Sequence, residues 1–297
     1  LDAMRIAQNT TLHSQTGTLN AVRIADAGQN FDLTLHSATA LQLKDLDIGG
    51  KLQVTTKSGG VSQLPNTSLQ VGGTSTFTAD TGTDQDASLA STGNRLVGKL
   101  TFDTLGGGSW RDVSVATSTA LTLAPLQSSG AVNLQTLGAA LTTDTIAASG
   151  NLTIDTRNSQ GVGGATSIGA TVVSGNMAIQ TGGGSVAQTG QMVVTGNTAI
   201  AAGTGVITLD NVLNNFGGAL SLQGQSTSVA TSGDLQLASV VNTGPMTLRA
   251  PNGSIDLGNA FITGGNLILE SKTDLNLGGA NISGNLTMNS TEGSVTF

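Results

Sequence analysis

The side chains of this sequence that are able to do acid–base chemistry are few and scattered. The 297 residues include 18 acids, 11 lysines and arginines, two histidines and no cysteine. Cleavage of a glycosidic bond needs two facing carboxyl groups, for which Asp45 with Asp47 and Asp103 with Asp112 are formal candidates. His13 and His36 lie in Leu- and Thr-rich segments without a partner motif, and no Gly-x-Ser-x-Gly elbow accompanies them. We therefore predict no catalytic residue and no enzymatic activity.

Three acids, Asp80, Asp84 and Asp86, fall within one short Gly- and Thr-containing segment. Carboxylate oxygens are ligands for Ca²⁺, but this spacing is not that of a calcium-binding loop and no nearby Glu completes it. A solvated corner is the favoured interpretation. We expect neither a metal site nor a cofactor.

Trp110 and Arg111 form the only adjacent pair of an aromatic ring and a guanidinium group in the chain. On the surface, the pair would offer a sugar ring a stacking platform and a hydrogen-bonding fork, which makes both residues candidate ligand contacts. The alternative, which we favour, is that Trp110 closes a local apolar cluster beneath a loop.

The elements that must position any such site are very short strands of the form apolar-x-apolar. This alternation places the outer two side chains of each triplet on one face of a strand. The triplets recur with a period of about 20 residues, since Met246 and Leu267 are 21 apart and Ile255 and Leu275 are 20 apart. Such a period is typical of a solenoid in which neighbouring turns share one core. The predicted core residues are Leu235, Leu237, Leu248, Ile255, Leu257, Leu267, Leu269, Leu275, Leu277 and Leu286.

Glycine precedes many of these strands in the pattern Gly-x-apolar-x-apolar, as at Gly218, Gly265 and Gly284. We interpret these glycines as tight or crowded corners between strands. Asp210 and Asn214 precede Gly218 and are predicted turn residues whose side chains bond their own backbone and stack as polar ladders. The sequence thus predicts an all-β fold, a parallel β-helix with turns of about 20 residues.

Composition narrows the range of partners. The net charge is −7, and the few basic residues are spread along the chain, so we expect no nucleic-acid partner. Aromatic residues are only 2%, which fits a narrow interior filled by Leu, Ile and Val. No apolar run is long enough to span a bilayer, so no integral membrane segment is expected.

We expect one elongated β-helix domain over residues 1–297. Because the chain begins with Leu1 and not with Met, we expect it to be a fragment of a larger exoprotein. The apolar alternation fails over residues 79–98 and 105–112, and these segments are predicted loop excursions from the scaffold.

The segment from Leu275 to Leu286 and the run ITLDNVLNNFGGALSL at 207–222 resemble the repeats of filamentous haemagglutinin-type exoproteins. These are large adhesins of Gram-negative bacteria that are exported by two-partner secretion. The resemblance covers most of the chain and is strongest from about residue 150 onward. It implies a right-handed parallel β-helix that is secreted or displayed on the cell surface through an outer-membrane transporter.

The expected function is that of a structural shaft in attachment, aggregation or biofilm contacts, with carbohydrate, exopolysaccharide or a host or neighbouring cell surface as partner. Two alternatives stay open. A β-helical polysaccharide lyase or hydrolase would need clustered Asp with Lys or Arg on neighbouring turns. A stalk that delivers a toxin would carry it on a separate C-terminal segment.

Overall fold

A computed structural model describes residues 3–20, 23–80, 84–262 and 264–297. All regular secondary structure in these residues is β-strand. They contain no helix of the length and hydrophobicity needed to traverse a bilayer. The chain divides into two compact units, Leu1–Gly150 and Asn151–Phe297.

The first unit holds short strands, most of three to six residues. They are β1 (Ala3–Arg5), β2 (Thr10–Ser14), β3 (Leu19–Asn20), β4 (Arg23–Ala25), β5 (Leu33–Ser37), β6 (Leu41–Leu43), β7 (Leu46–Ile48), β8 (Leu52–Thr56), β9 (Val61–Gln63), β10 (Leu69–Val71), β11 (Ser75–Asp80), β12 (Asp84–Leu89), β13 (Arg95–Leu96), β14 (Leu100–Leu105), β15 (Ser109–Thr117), β16 (Leu121–Leu123), β17 (Leu126–Ser128), β18 (Val132–Thr136), β19 (Leu141–Thr143) and β20 (Ile146–Ala148).

The second unit continues with strands of the same kind. They are β21 (Leu152–Asp155), β22 (Thr166–Ile168), β23 (Thr171–Val173), β24 (Met177–Gln180), β25 (Val186–Gln188), β26 (Met192–Val194), β27 (Thr198–Ala201), β28 (Val206–Leu209), β29 (Asn215–Phe216), β30 (Leu220–Gly224), β31 (Ser226–Ala230), β32 (Leu235–Asn242), β33 (Met246–Ala250), β34 (Ile255–Asp256), β35 (Phe261–Ile262), β36 (Leu267–Ser271), β37 (Leu275–Asn276), β38 (Asn281–Ile282), β39 (Leu286–Ser290) and β40 (Val295–Thr296).

In the first unit, successive strands lie in three different parallel sheets. Sheet A contains β1, β4, β7, β10 and β13, and sheet B contains β2, β5, β8, β11, β14, β16 and β19. Sheet C contains β3, β6, β9, β12 and β15, followed by β17, β18 and β20. Every third strand up to β15 therefore returns to the same sheet, one coil further on. Paired residues in sheet B are 19 (Leu33 with Leu52) to 25 (Ser75 with Leu100) positions apart.

The second unit winds in the same way. One ladder contains β22, β25, β28, β31, β33, β36 and β39, and another contains β21, β24, β27, β30, β32, β35 and β38. The register places Met246, Leu267 and Leu286 directly above one another. Each unit is thus a β-solenoid of parallel strands, which confirms the predicted all-β parallel β-helix.

The core consists of the inward-facing residues of each strand. In β36, Leu267 and Leu269 are fully buried, whereas Ile268 between them is 37% exposed. The other predicted core residues of the second unit are also buried, with the exception of Leu286 in β39, which is half-buried. The triplet pattern therefore identified the core correctly, because alternation along a strand sets the direction of each side chain.

The predicted loop excursions are wrong for much of their length. Residues 84–89 form β12, residues 95–96 form β13 and residues 109–112 begin β15, while residues 81–83 lie outside the described part of the chain. The sequence shows no apolar alternation at β12, because the inward positions of this strand hold Gln85 and Ala87 where large apolar residues are usual. In β15, Arg111 and Asp112 are both exposed, and the register with β12 shifts by a bulge between Gln85 and Ala87.

The register makes a direct prediction for β36. Leu267→Ala should lower the free energy of unfolding by about 2–5 kcal/mol, because it leaves a cavity between two stacked leucine or methionine neighbours. The neighbouring Ile268→Ala, on the outward face, should cost about 0.5 kcal/mol or less. Urea unfolding of the two variants measures both values, and equal losses would mean that the strand does not face the core as described.

Candidate functional site

Trp110 lies in the core of the first unit and not on its surface. Its ring is 1% exposed, and its Nε1 group donates a hydrogen bond to the carbonyl oxygen of Asp103 at 2.8 Å. The indole meets Phe102 edge-on with ring centroids 5.5 Å apart, and Phe102 stacks on Phe77 at 5.6 Å. The candidate role of Trp110 as a ligand contact is therefore wrong, and the alternative of a buried plug describes its position.

Arg111 is exposed, but its guanidinium fork is already occupied. Its Nε and Nη2 atoms donate to the two carboxylate oxygens of Asp86, and Asp112 lies 3.7 Å from its Nε. The hydrogen bonds that Arg111 donates to Asp86, together with the negative charge of that carboxylate, raise the pKa of Arg111. Arg111 thus joins neighbouring coils, and a ligand would have to compete with Asp86 for it.

Several of the candidate acids for metal binding or catalysis accept local hydrogen bonds. Asp84 accepts a hydrogen bond from the hydroxyl of Ser109, and Asp86 holds Arg111. Asp112 Oδ1 accepts from the backbone N–H of Ala131 at 2.8 Å, and Asp103 Oδ1 accepts from that of Thr104. Within the described ranges no group of three His, Cys, Asp or Glu side chains is placed to hold a metal ion.

Asp45 and Asp47 are the pair that lies beside open surface. They line a shallow groove of about 340 Å³ on sheet A together with Arg23, Ser68 and Gln70. Asp45 Oδ1 accepts a hydrogen bond from the backbone N–H of Ser68 at 2.9 Å. The groove therefore combines two carboxylates with a guanidinium and an amide on adjacent coils.

A second polar groove of about 690 Å³ adjoins it at the corner between sheets C and A. It is lined by Asp45, the segment 63–68, Ser88 and the segment 90–93. Asn66 at its rim has φ 60°, in the left-handed region that disfavours side chains other than Gly, Asn and Asp. Hydroxyl and amide groups dominate this lining, so its chemistry is that of neutral hydrogen bonding.

Asn214 is the most extensively bonded polar side chain of the second unit and is fully buried. Its Nδ2 group donates to Oε1 of Gln188 at 2.8 Å and to the carbonyl oxygens of Leu209 and Ala230 at 3.2 and 3.1 Å. Its Oδ1 atom accepts from Nε2 of Gln188 and from the N–H of Met192, both at 2.9 Å. We predicted that Asn214 bonds the backbone of its own turn. Only the bond to Leu209 is of this kind, and the other bonds reach neighbouring coils.

Asn94 makes the same set of bonds in the first unit. It exchanges two hydrogen bonds with Gln63, at 2.7 and 2.9 Å. It also donates to the carbonyl oxygens of Leu89 and Ala116, both at 3.1 Å, and accepts from the N–H of Leu69 at 2.9 Å. We call each arrangement a Gln–Asn clasp: Gln63 with Asn94, and Gln188 with Asn214.

The remaining predicted turn residues have simple roles. Asp210 is exposed at the end of β28. A Cβ atom at Gly265 would lie 2.3 Å from the carbonyl carbon of Gly244, and one at Gly284 would lie 2.0 Å from the carbonyl oxygen of Gly265. A Cβ atom at Gly218 would lie 2.6 Å from the carbonyl oxygen of Gly196, which is also too close. These glycines are therefore required because the corners of successive coils touch, as the crowded-corner interpretation predicts.

Two stretches of the chain match a protein-family model. Residues 28–103 and 159–223 match a family described as Repeats of unknown function (DUF5649). No curated protein and no solved structure is found to match. Each matched stretch contains one Gln–Asn clasp, so fold and repeat together define a repeat β-helical protein. The resemblance to filamentous haemagglutinin-type exoproteins stays a hypothesis.

The clasp predicts that replacing Asn214 lowers the free energy of unfolding strongly, whereas replacing the neighbouring Asn215 hardly changes it. Asn214→Ala should cost about 3 kcal/mol of unfolding free energy, because it leaves Gln188 and several buried backbone groups without partners. Asn215→Ala, at an exposed position, should cost about 0.5 kcal/mol or less. Chemical unfolding followed by circular dichroism checks this, and a mild effect at Asn214 would show that the clasp is dispensable.

Asp155 and Arg157 form an ion pair that predicts a pH effect. Arg157 donates to both carboxylate oxygens of Asp155, at 2.9 and 2.8 Å, and this bonding lowers the pKa of Asp155. A lowered pKa stabilises the folded state above the unfolded pKa of about 3.9, and the contribution is lost as pH falls through the folded value. Arg157→Met should raise the pKa of Asp155, as measured by NMR titration.

The matched control for this titration is Asp234. Its pKa is lowered by hydrogen bonds from Ser254 and not by an arginine. Arg157→Met should therefore leave Asp234 unchanged. An unchanged Asp155 in the variant would contradict the assignment of its pKa to Arg157.

Proposed function

We propose that this chain is a structural shaft segment of a large secreted bacterial adhesin, without enzymatic activity of its own. In this role the stacked coils hold binding sites at a distance from the cell and mediate attachment, aggregation or biofilm contacts. Export of the full-length protein through an outer-membrane transporter is part of the same hypothesis.

The observation that carries the proposal is the parallel stacking of coils within each unit, which stays in register except for single shifts between β12 and β15 and between β30 and β32. Every coil adds backbone hydrogen bonds to the next, as from Leu267 to Asn285 at 2.8 Å and from Met246 to Asn266 at 2.9 Å. Repeats of this kind gain stability from each neighbour interface, so length is added without a new core. A chain that must be long and stiff benefits from this property.

The charged side chains fit a structural role. Arg111 with Asp86, Arg157 with Asp155 and Arg249 with Glu270 each join residues of neighbouring coils or of one corner. Such partly exposed pairs contribute little individually. Their placement favours register and solubility over substrate binding.

For the partner of this shaft we propose carbohydrate, taken up at the hydroxyl- and amide-lined groove beside Asn66. Sugar hydroxyls are bound by a few placed hydroxyl and amide groups, and the side chains of Asn66, Ser88 and Thr92 line this groove. The residue Arg111 borders a different part of the surface and is not needed for this contact.

A second candidate function is cleavage of a polysaccharide, which is favoured by the groove that holds Asp45 and Asp47 beside Arg23. Two carboxyl groups near a guanidinium on adjacent coils is the arrangement that a β-helical lyase or hydrolase needs. A toxin-delivering stalk is the remaining alternative, for which the described residues offer no specific feature.

Incubation of the purified protein with a panel of acidic and neutral polysaccharides separates these functions. We expect retention of the polymers on immobilised protein without any fall in their chain length, as measured by size-exclusion chromatography. Asn66→Ala with Ser91→Ala should weaken retention, because both side chains line the proposed groove.

The matched control is Asp47→Asn, because Asp47 lines the groove on sheet A and not the groove beside Asn66. If the wild type shortens a polysaccharide and the variants Asp45→Asn and Asp47→Asn do not, the protein is an enzyme and the proposal of a structural shaft is wrong. If none of the polymers is retained, the proposal of a carbohydrate partner is wrong.

A further inference from the structure

The two histidines of the chain are brought to directly paired positions in the first unit. In the register between β2 and β5, His13 lies opposite His36, flanked by the pairs Leu12 with Leu35 and Ser14 with Ser37. The ring centroids are 5.4 Å apart and the planes are tilted by 60°. Residues that are 23 positions apart in the sequence thus form one contact.

Both imidazoles lie on the outward face of sheet B. Leu35 is buried whereas His36 is half-buried and His13 is exposed, in keeping with the alternation along β2 and β5. Solvent therefore reaches the pair from one side. The strand beneath covers the other side, which limits the freedom of His36 more than that of His13.

We propose that His13 and His36 together bind a divalent transition-metal ion, of the class of Cu²⁺ or Zn²⁺. Zinc–nitrogen bonds are about 2.0–2.1 Å long, so two nitrogens that share one ion lie about 3.3 Å apart. Rings with centroids 5.4 Å apart reach this separation by side-chain rotation alone. Each imidazole supplies one nitrogen, and water completes the coordination on the open side.

The surroundings define what kind of site this is. The next residue in the same outward column is Thr55, which pairs with His36, and the neighbouring column begins with Thr11 and Thr34. Hydroxyl groups of this kind hydrogen-bond metal-bound water. The outward column continues from Thr55 to Thr78 and reaches a carboxylate only at Asp103, three coils beyond His36. Selectivity should therefore follow imidazole preference, with Cu²⁺ bound more tightly than Zn²⁺.

Binding would link the coil of β2 to the coil of β5. The ion holds the folded pair together and does not find both ligands in place in the unfolded chain, so it stabilises the fold. Since each imidazole must be neutral to bind the ion, the affinity should fall when the solution is made acidic.

The first test is isothermal titration calorimetry with CuCl₂ and with ZnCl₂ on the whole chain. At a pH of about 7.5, the wild type should bind one ion saturably, and it should release this ion in acid. His13→Gln and His36→Gln should each weaken binding by roughly tenfold or more, because one imidazole ligand is lost. Circular dichroism without metal serves as the control that both variants are folded.

The second test moves the pair by one coil. His13→Thr should abolish chelation, and His13→Thr combined with Thr55→His should restore it, because Thr55 is paired with His36. Restoration would support a site defined by register. Absence of saturable binding in the wild type, unchanged binding in the single variants, or failure of the relocated pair in a folded protein would overturn the proposal.

Discussion

In-register parallel pairing between successive coils is the constraint on which the rest of this structure depends. A strand of three to five residues has two or three inward side chains and cannot form a core alone. Stacking converts these side chains into continuous columns, such as Leu248, Leu269 and Met288. The same stacking satisfies the backbone groups that short strands would otherwise expose. Apolar burial and backbone bonding therefore require the same register.

The corners follow from that register. Where two coils approach most closely, only glycine fits, as at Gly265 above Gly244. Where the chain makes a wider turn, a buried asparagine bonds the backbone of neighbouring coils and a glutamine that lies 26 or 31 residues earlier in the chain. A buried amide with all its partners in place fixes one geometry and penalises others. Because each of the two matched repeats contains one such clasp, the repeats share the structure of this corner as well as the pattern of the core.

The sequence predicted the core far better than the polar contacts, for physical reasons. Leu267 and Leu269 were found because alternation has a period of two and leaves a visible pattern. The partnership of Gln188 with Asn214 has no period, although the parallel spacing of Val186 with Gln188 and Val61 with Gln63 was a usable signal. The favoured interpretation of Trp110 as a buried plug agrees with its position, but the sequence could not show the bulge, which lets Trp110 turn inward while Arg111 and Asp112 both face solvent. The pairing of His13 with His36 needed the exact coil length, which varies between neighbouring coils.

Disulfide cross-linking measures the register most directly, since the chain contains no natural cysteine. Thr247 and Ile268 are paired on adjacent coils, so their Cα atoms should be about 5 Å apart, within the range that a disulfide bridges. The account predicts that Thr247→Cys with Ile268→Cys closes readily under mild oxidation. It predicts that Thr247→Cys with Glu270→Cys, offset by two residues and about 8 Å apart, does not. Equal closure of both pairs, or closure of the offset pair alone, would contradict in-register stacking.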